Sequence, residues 1–93
     1  MEGFEWDPVK ANENLRKHGV SFTAATRVFE DTFRVEWEDV REDYGEERYV
    51  TIGMVNAEVL SVAYTLRGDV IRMISARRAS NQEKAQYHGN RPI

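Results

Sequence analysis

The chain has 93 residues, a formal net charge of −3 at pH 7 and no cysteine. These values exclude a disulfide framework and a cysteine-based zinc site, and the length fits one domain over residues 1–93 with a single modest core. The acidic beginning and the lack of an apolar run near the roughly 20 residues of a membrane helix predict a soluble, cytoplasmic protein without membrane contact.

A short strand and two helices are predicted first. Residues 4–6 alternate apolar and charged side chains, as a strand does. Asp7 is a typical N-cap, Pro8 suits the first helical position, and Gly19 should end that helix. A second, amphipathic helix follows over residues 21–29, with a serine as its N-cap.

Four strands and a last helix are predicted next. From Phe33 apolar side chains alternate with charged ones, and a charged turn follows over residues 38–47. Three further strands follow, over residues 48–56, 59–67 and 70–77. Ser80 and Glu83 fit the capping box of a helix that ends at Gly89.

This order predicts an α+β fold, in which a four-stranded, mainly antiparallel meander carries helices against one side. A meander can leave its other face open, so that face is the place to look for a functional site. Charge is unevenly distributed, because residues 1–47 have a balance of −7 and residues 48–93 a balance of +4. A local basic surface can therefore recruit nucleic acid although the chain is acidic overall.

Four sequence blocks resemble the BrnT toxins, which are the toxin half of type II toxin-antitoxin pairs. In chain order they are "FEWDPVKANENLRKHGVSF", "VFED", "GEERYVTIG" and "TLRGDVIRMISARRAS". The resemblance covers residues 4–88, and several linked blocks are more specific than one short motif. It implies a RelE-like fold, RNA cleavage and growth arrest. It further implies neutralisation by a BrnA-like antitoxin of the ribbon-helix-helix type, through which alone the complex contacts operator DNA.

Arginines on the last two strands are candidates for a phosphate site. Their planar, permanently charged forks match phosphate oxygens and offset charge on a phosphorane. With the resemblance, we expect Arg67 and Arg77 to be catalytic, Arg72 to bind RNA beside them or to form an internal ion pair, and Arg78 to bind RNA at the rim. In a regular strand Arg72 and Arg77 point to opposite faces, whereas a bulge would change this. Ion pairing with the many carboxylates is the alternative for each arginine.

His18 is the candidate for catalytic proton transfer, because imidazole titrates near neutral pH. The alternative is that His18 only interacts with the carboxyl end of its helix. His88 is a weaker candidate. Lys10 and Lys17 lie seven residues apart on one helical face, which suits RNA phosphate contacts or simple solvation.

The acidic segment over residues 36–47 follows no metal-binding loop pattern, so we predict a solvated turn, no metal and no other cofactor. Trp6 and Trp37 have a shape that suits stacking on bases, but their apolar neighbours favour a place in the core or at a partner interface.

Two functions fit this sequence. The first is a metal-independent endoribonuclease toxin that cleaves RNA and inhibits translation and growth. The second is a catalytically weak or inactive binding module that acts as co-repressor of a DNA-binding antitoxin, which the acidic balance favours.

Overall fold

The computed structural model describes residues 3–89, whose strands form one five-stranded sheet. The strands are β1 (Phe4–Glu5), β2 (Val35–Asp39), β3 (Arg48–Val55), β4 (Glu58–Arg67) and β5 (Val70–Arg78). The helices are α1 (Pro8–His18), α2 (Phe22–Ala25), which continues into a 3₁₀ segment (Thr26–Glu30), and α3 (Asn81–Gly89). The α+β class is confirmed. In this described part, no helix has the length and apolar character needed to cross a membrane.

Capping residues fix the ends of α1 and α3 as predicted. The Asp7 carboxylate accepts a hydrogen bond from the Val9 amide at 2.9 Å, and Gly19 ends α1 in the left-handed conformation at φ 70°. The Ser80 hydroxyl accepts from the Glu83 amide at 3.2 Å, and the Glu83 carboxylate accepts from the Ser80 amide at 2.8 Å. This reciprocal pair is the predicted capping box, and it fixes the Glu83 side chain at the start of α3.

The second helix is shorter than predicted. It remains α-helical only over α2, and the chain then tightens into the 3₁₀ segment. The Thr26 hydroxyl donates to the Thr23 carbonyl at 2.7 Å, a local bond that competes with regular helix geometry.

The strand order in the sheet is β1-β5-β4-β3-β2. Strands β2 to β5 form an antiparallel meander, whereas β1 lies parallel to β5, with Phe4 opposite Ile71. Because β1 and β2 occupy opposite edges, the intervening α1, α2 and 3₁₀ segment cross one face of the sheet. The other face is here called the open face. Within residues 3–89, a helix covers it only at one end, where Tyr87 of α3 packs with Ile52 and Val59.

The face under α1 and α2 forms the main core. Strand residues Val62, Tyr64 and Met73 are buried there against Phe22 and Val28. The 3₁₀ segment approaches β3 at Gly53, where a Cβ atom would lie 3.0 Å from the Val28 carbonyl oxygen. The main core therefore occupies this side of the sheet, and a smaller cluster forms under α3 at one end of the open face.

A bulge in β5 decides which arginines share a face. Ser75 pairs with Ala63 and Met73 pairs with Tyr64, so Ile74 is an extra residue without a partner on β4. One extra residue reverses the side-chain alternation that follows it. As a result, Met73 before the bulge and Ala76 after it both lie on the buried face of the sheet.

The open face correspondingly carries both Arg72 and Arg77. Arg67 also lies on this face. It is an even number of positions along β4 from Thr65, the partner of Arg72, and from Ser61, the partner of Arg77, and such residues share a face of a strand. The sequence left open whether Arg72 and Arg77 point to the same face. In the structure both of them, and Arg67, lie on the open face.

Asn14 of α1 holds the strand just beyond this bulge. Its amide nitrogen donates to the Ala76 carbonyl at 2.8 Å and to the Val20 carbonyl at 2.9 Å, and its oxygen accepts from the Ala76 amide at 3.1 Å. The side chain is buried, at 7% exposure, and satisfies the β5 backbone beyond the end of β1. Asn14 thus substitutes for a neighbouring strand.

Candidate active site

A cleft of about 290 Å³ lies on the open face of the sheet. Its floor consists of small residues in register across three strands, with Ser75 beside Ala63 and Ala63 beside Val50. Its walls are large side chains, Trp37 on β2 and Arg77 on β5. The cleft exists because small residues lie between these large ones.

Arg77 and Glu83 form one wall through a two-pronged ion pair. Arg77 Nη1 lies 2.7 Å from Glu83 Oε1, and Nη2 lies 3.0 Å from Oε2. The hydrogen bond with Glu83 raises the pKa of Arg77, whereas burial and the positive charge of Arg41 act in the opposite direction. Burial disfavours the charged form of Glu83, but hydrogen bonds from Arg77 and Ser80 outweigh it and lower the pKa of Glu83. Both groups are therefore charged at neutral pH.

Arg41 and Asp39 form a second ion pair in the same cleft. Arg41 Nε donates to Asp39 Oδ1 at 2.9 Å and Nη2 donates to Oδ2 at 2.8 Å, and these bonds hold the pKa of Asp39 well below its usual range. The Tyr44 hydroxyl also donates to Asp39, and the Arg48 guanidinium lies 4.1 Å from the Tyr44 ring centre. The turn after β2 is thus folded onto its own strand, which places Arg41 in the cleft.

The cleft therefore presents two guanidiniums, each oriented by a carboxylate. Arg41 and Arg77 line the same cleft, and solvent reaches both guanidinium groups, since 80% of the Arg41 side chain and 44% of the Arg77 side chain are accessible. A guanidinium fork can bind the oxygens of a phosphodiester and stabilise negative charge that develops on it, and this cleft offers two such forks. Sequence reasoning missed Arg41, because it assigned the whole acidic turn to solvation.

Arg67 lies far from this pair although it shares the face. Six positions along β4 separate it from Ser61, the partner of Arg77, which corresponds to roughly 20 Å at the usual rise of a strand. The Arg67 guanidinium lies 3.8 Å from Glu46 near the opposite end of the sheet. A single phosphate cannot contact both Arg67 and Arg77.

The other predicted arginines form ion pairs. Arg72 Nη1 lies 2.8 Å from Glu5 on β1, so the internal ion pair is the alternative that the structure shows for it. Arg78 lies on the helical side of the sheet, where Nε contacts Glu58 at 2.6 Å and Nη1 donates to the His18 carbonyl at 3.2 Å. Arg78 does not line the cleft.

Three basic residues of α1 lie around a second cavity of about 310 Å³. It is lined by Lys10, Lys17 and His18, and by Ile74 and Ser75 at the bulge. Ser75 also lines the open-face cleft, so the two cavities adjoin at the outer edge of β5. The structure brings the three α1 residues together but places them across this edge from Arg77.

The two tryptophans occupy different environments. Trp6 packs edge-on against Phe22, with ring centres 5.8 Å apart, and belongs to the main core. Trp37 is 36% exposed and lines the cleft. Within residues 3–89, no three histidine, aspartate or glutamate side chains are grouped as metal ligands would be.

The cleft carboxylates make the fold sensitive to acid. The pKa values of Asp39 and Glu83 are lowered by folding, so their stabilising effect is complete above their unfolded pKa values of about 4 and is lost as the pH falls through the folded values. We expect the free energy of unfolding, measured in urea, to decrease between about pH 5 and pH 2. The double variant Asp39→Asn, Glu83→Gln should be less stable at pH 7 and show a shallower decrease. Equal slopes in the two proteins would contradict this assignment.

Comparison with known protein families gives a match that includes the residues of the cleft. A family model described as the ribonuclease toxin BrnT of type II toxin-antitoxin systems matches residues 6–83. A search of curated proteins gave no match. The matched range contains Trp37, Arg41 and Arg77 and ends at Glu83. The resemblance found in the sequence blocks is confirmed, and since the match spans most of the 93 residues, the chain belongs to the BrnT family of ribonuclease toxins of type II toxin-antitoxin systems.

Proposed function

We propose that the chain is an endoribonuclease toxin that cleaves RNA at the open-face cleft without a metal ion and thereby inhibits translation and growth in the cytoplasm. The observation that carries the proposal is the pair of oriented guanidiniums, Arg41 and Arg77, in one cleft of a BrnT family chain. Arginine is the side chain best suited to a phosphate that gains charge during reaction.

Cleavage would proceed through the ribose 2′-hydroxyl. A general base removes the hydroxyl proton as the 2′-oxygen attacks the phosphorus. The bond to the 5′-oxygen breaks, a general acid protonates that oxygen, and a cyclic phosphate and a 5′-hydroxyl result. Arg41 and Arg77 stabilise the extra negative charge on the phosphorane oxygens, while Glu83 positions Arg77. The lowered pKa of Glu83 makes it a weak base, so its role in this scheme is positional.

The remaining sequence candidates lie outside the cleft, and the proposal gives them other roles. His18, in the adjoining cavity, is the candidate for proton transfer at the edge of β5, and Lys10 and Lys17 bind RNA phosphates along α1. Arg67 contacts a phosphate several nucleotides from the cleaved one.

We further propose that the partner is a BrnA-like antitoxin of the ribbon-helix-helix type. The toxin would contact operator DNA only through this antitoxin, and the RelE-like arrangement of the fold is part of the same proposal. The family description, which names a toxin-antitoxin system, supports an antitoxin as such.

The alternative is an inactive binding module, and one observation favours it. Both cleft guanidiniums are already paired with carboxylates, which lowers the net positive charge available to RNA. A cleavage assay on purified, antitoxin-free protein separates the two functions.

For the ribonuclease we expect cleavage of RNA that persists in EDTA, and growth arrest when the chain is expressed alone in a bacterium. Co-expression with the antitoxin should restore growth. Intact RNA and normal growth would support the binding module instead, and loss of cleavage in EDTA would contradict metal independence.

A further inference from the structure

Trp37 lines the open-face cleft and belongs to neither core cluster. Trp37 lies on β2, an edge strand, and its indole stands at the wall above Val50 and Ala63 without burial in either core cluster. Trp37 is 36% exposed and lines a cleft that Arg41 and Arg77 also line. An exposed aromatic beside guanidiniums is the combination that binds unpaired nucleotides, since the base stacks and the phosphate is paired.

We propose that Trp37 stacks on an unpaired base of the RNA strand whose phosphate Arg41 and Arg77 bind, so that the substrate is single-stranded RNA. The inference rests on the proposed ribonuclease function and adds the substrate class. In a duplex the bases are stacked on one another and their faces are not accessible to a side chain. Between the two walls the cleft has a volume of about 290 Å³, and its floor carries no side chain larger than that of Val50.

The polarity of the cleft favours a nucleotide over an apolar protein surface as the occupant of this wall. An apolar partner would have to bury the Arg77–Glu83 and Arg41–Asp39 ion pairs, which is costly for charged groups unless they are matched. A nucleotide provides a ring for the indole and an anion for the guanidiniums. Neighbouring Val40 is more exposed, at 76%, and does not line the cleft, so it provides a matched control.

The test measures binding of a short, non-cleavable 2′-O-methyl RNA to the full chain, as a single strand and as a duplex. The single strand should bind more tightly and quench the Trp37 emission, and this quenching should be absent in Trp37→Phe, which retains Trp6. Trp37→Ala should bind the single strand roughly 10- to 100-fold more weakly. Trp37→Phe should retain most of the affinity, and Val40→Ala should bind like the wild type.

Equal affinity of Trp37→Ala and wild type, or equal binding of single strand and duplex, would overturn the inference. Circular dichroism verifies that each variant is folded. If the wild type cleaves RNA while Trp37→Ala binds and cleaves normally, only the stacking role fails. If the wild type cleaves no RNA, the proposed function fails instead.

Discussion

Replacing Arg77 with alanine should reduce RNA cleavage by about 100- to 1,000-fold, which is the usual effect of removing one charge-stabilising donor from an active site. Glu83 orients the Arg77 guanidinium through hydrogen bonds of 2.7 and 3.0 Å. Arg77 is therefore already positioned to stabilise negative charge on the phosphorane. The measurement is the single-turnover rate on a single-stranded RNA. Arg77→Lys should recover only part of the rate, since lysine keeps the charge and loses the fork.

Two comparisons make the Arg77 result specific. Arg16→Ala changes an exposed arginine of α1 that lines neither cavity, and it should leave the rate unchanged. Arg67→Ala should weaken RNA binding with little effect on the rate at saturating RNA, because Arg67 lies roughly 20 Å along the sheet. Full activity of a folded Arg77→Ala protein would show that the open-face cleft is not the catalytic site.

Replacing Asn14 with alanine should lower the free energy of unfolding by roughly 2–4 kcal/mol, because it leaves several buried backbone groups without partners. These groups are the amide and carbonyl of Ala76 and the carbonyl of Val20. Asn14→Asp should also be destabilising, since an ionised carboxylate cannot donate to either carbonyl. Urea denaturation measures the change.

Asn12→Ala is the matched control for Asn14, since it changes the same residue type two positions away on the exposed side of α1. It should alter stability by no more than about 0.5 kcal/mol. A midpoint of Asn14→Ala equal to that of Asn12→Ala would show that these hydrogen bonds do not hold β5.

Much of the fold follows from local patterns that the sequence displays. Asp7, Gly19 and the Ser80–Glu83 capping box act within one or two turns of themselves, so their effects can be predicted without tertiary information. The antiparallel meander follows from the two-residue turns at residues 56–57 and 68–69 and from the charged turn between β2 and β3. The parallel pairing of β1 with β5 depends on residues 67 positions apart, as between Glu5 and Arg72, and no local pattern indicates it.

The site was harder to predict because its geometry depends on distant contacts. The bulge at Ile74 has no glycine or proline to mark it, and the strand beyond it is held by Asn14, which lies 62 positions from Ala76. Arg41 belongs to a turn whose composition indicates only solvation, and its place in the cleft depends on the bonds that Asp39 makes. Sequence could therefore name Arg77 as a candidate but not its companion in the cleft.

The most direct test of the central claim is to map the RNA contact surface by two-dimensional NMR, with the full chain and a non-cleavable 2′-O-methyl single strand. We predict that the largest shifts occur at the amides of Ser61, Ala63 and Ser75 and at the Trp37 indole, which line the open-face cleft. Smaller shifts should extend to Lys17 in the adjoining cavity. Shifts confined to α1, with the cleft residues unchanged, would contradict the account.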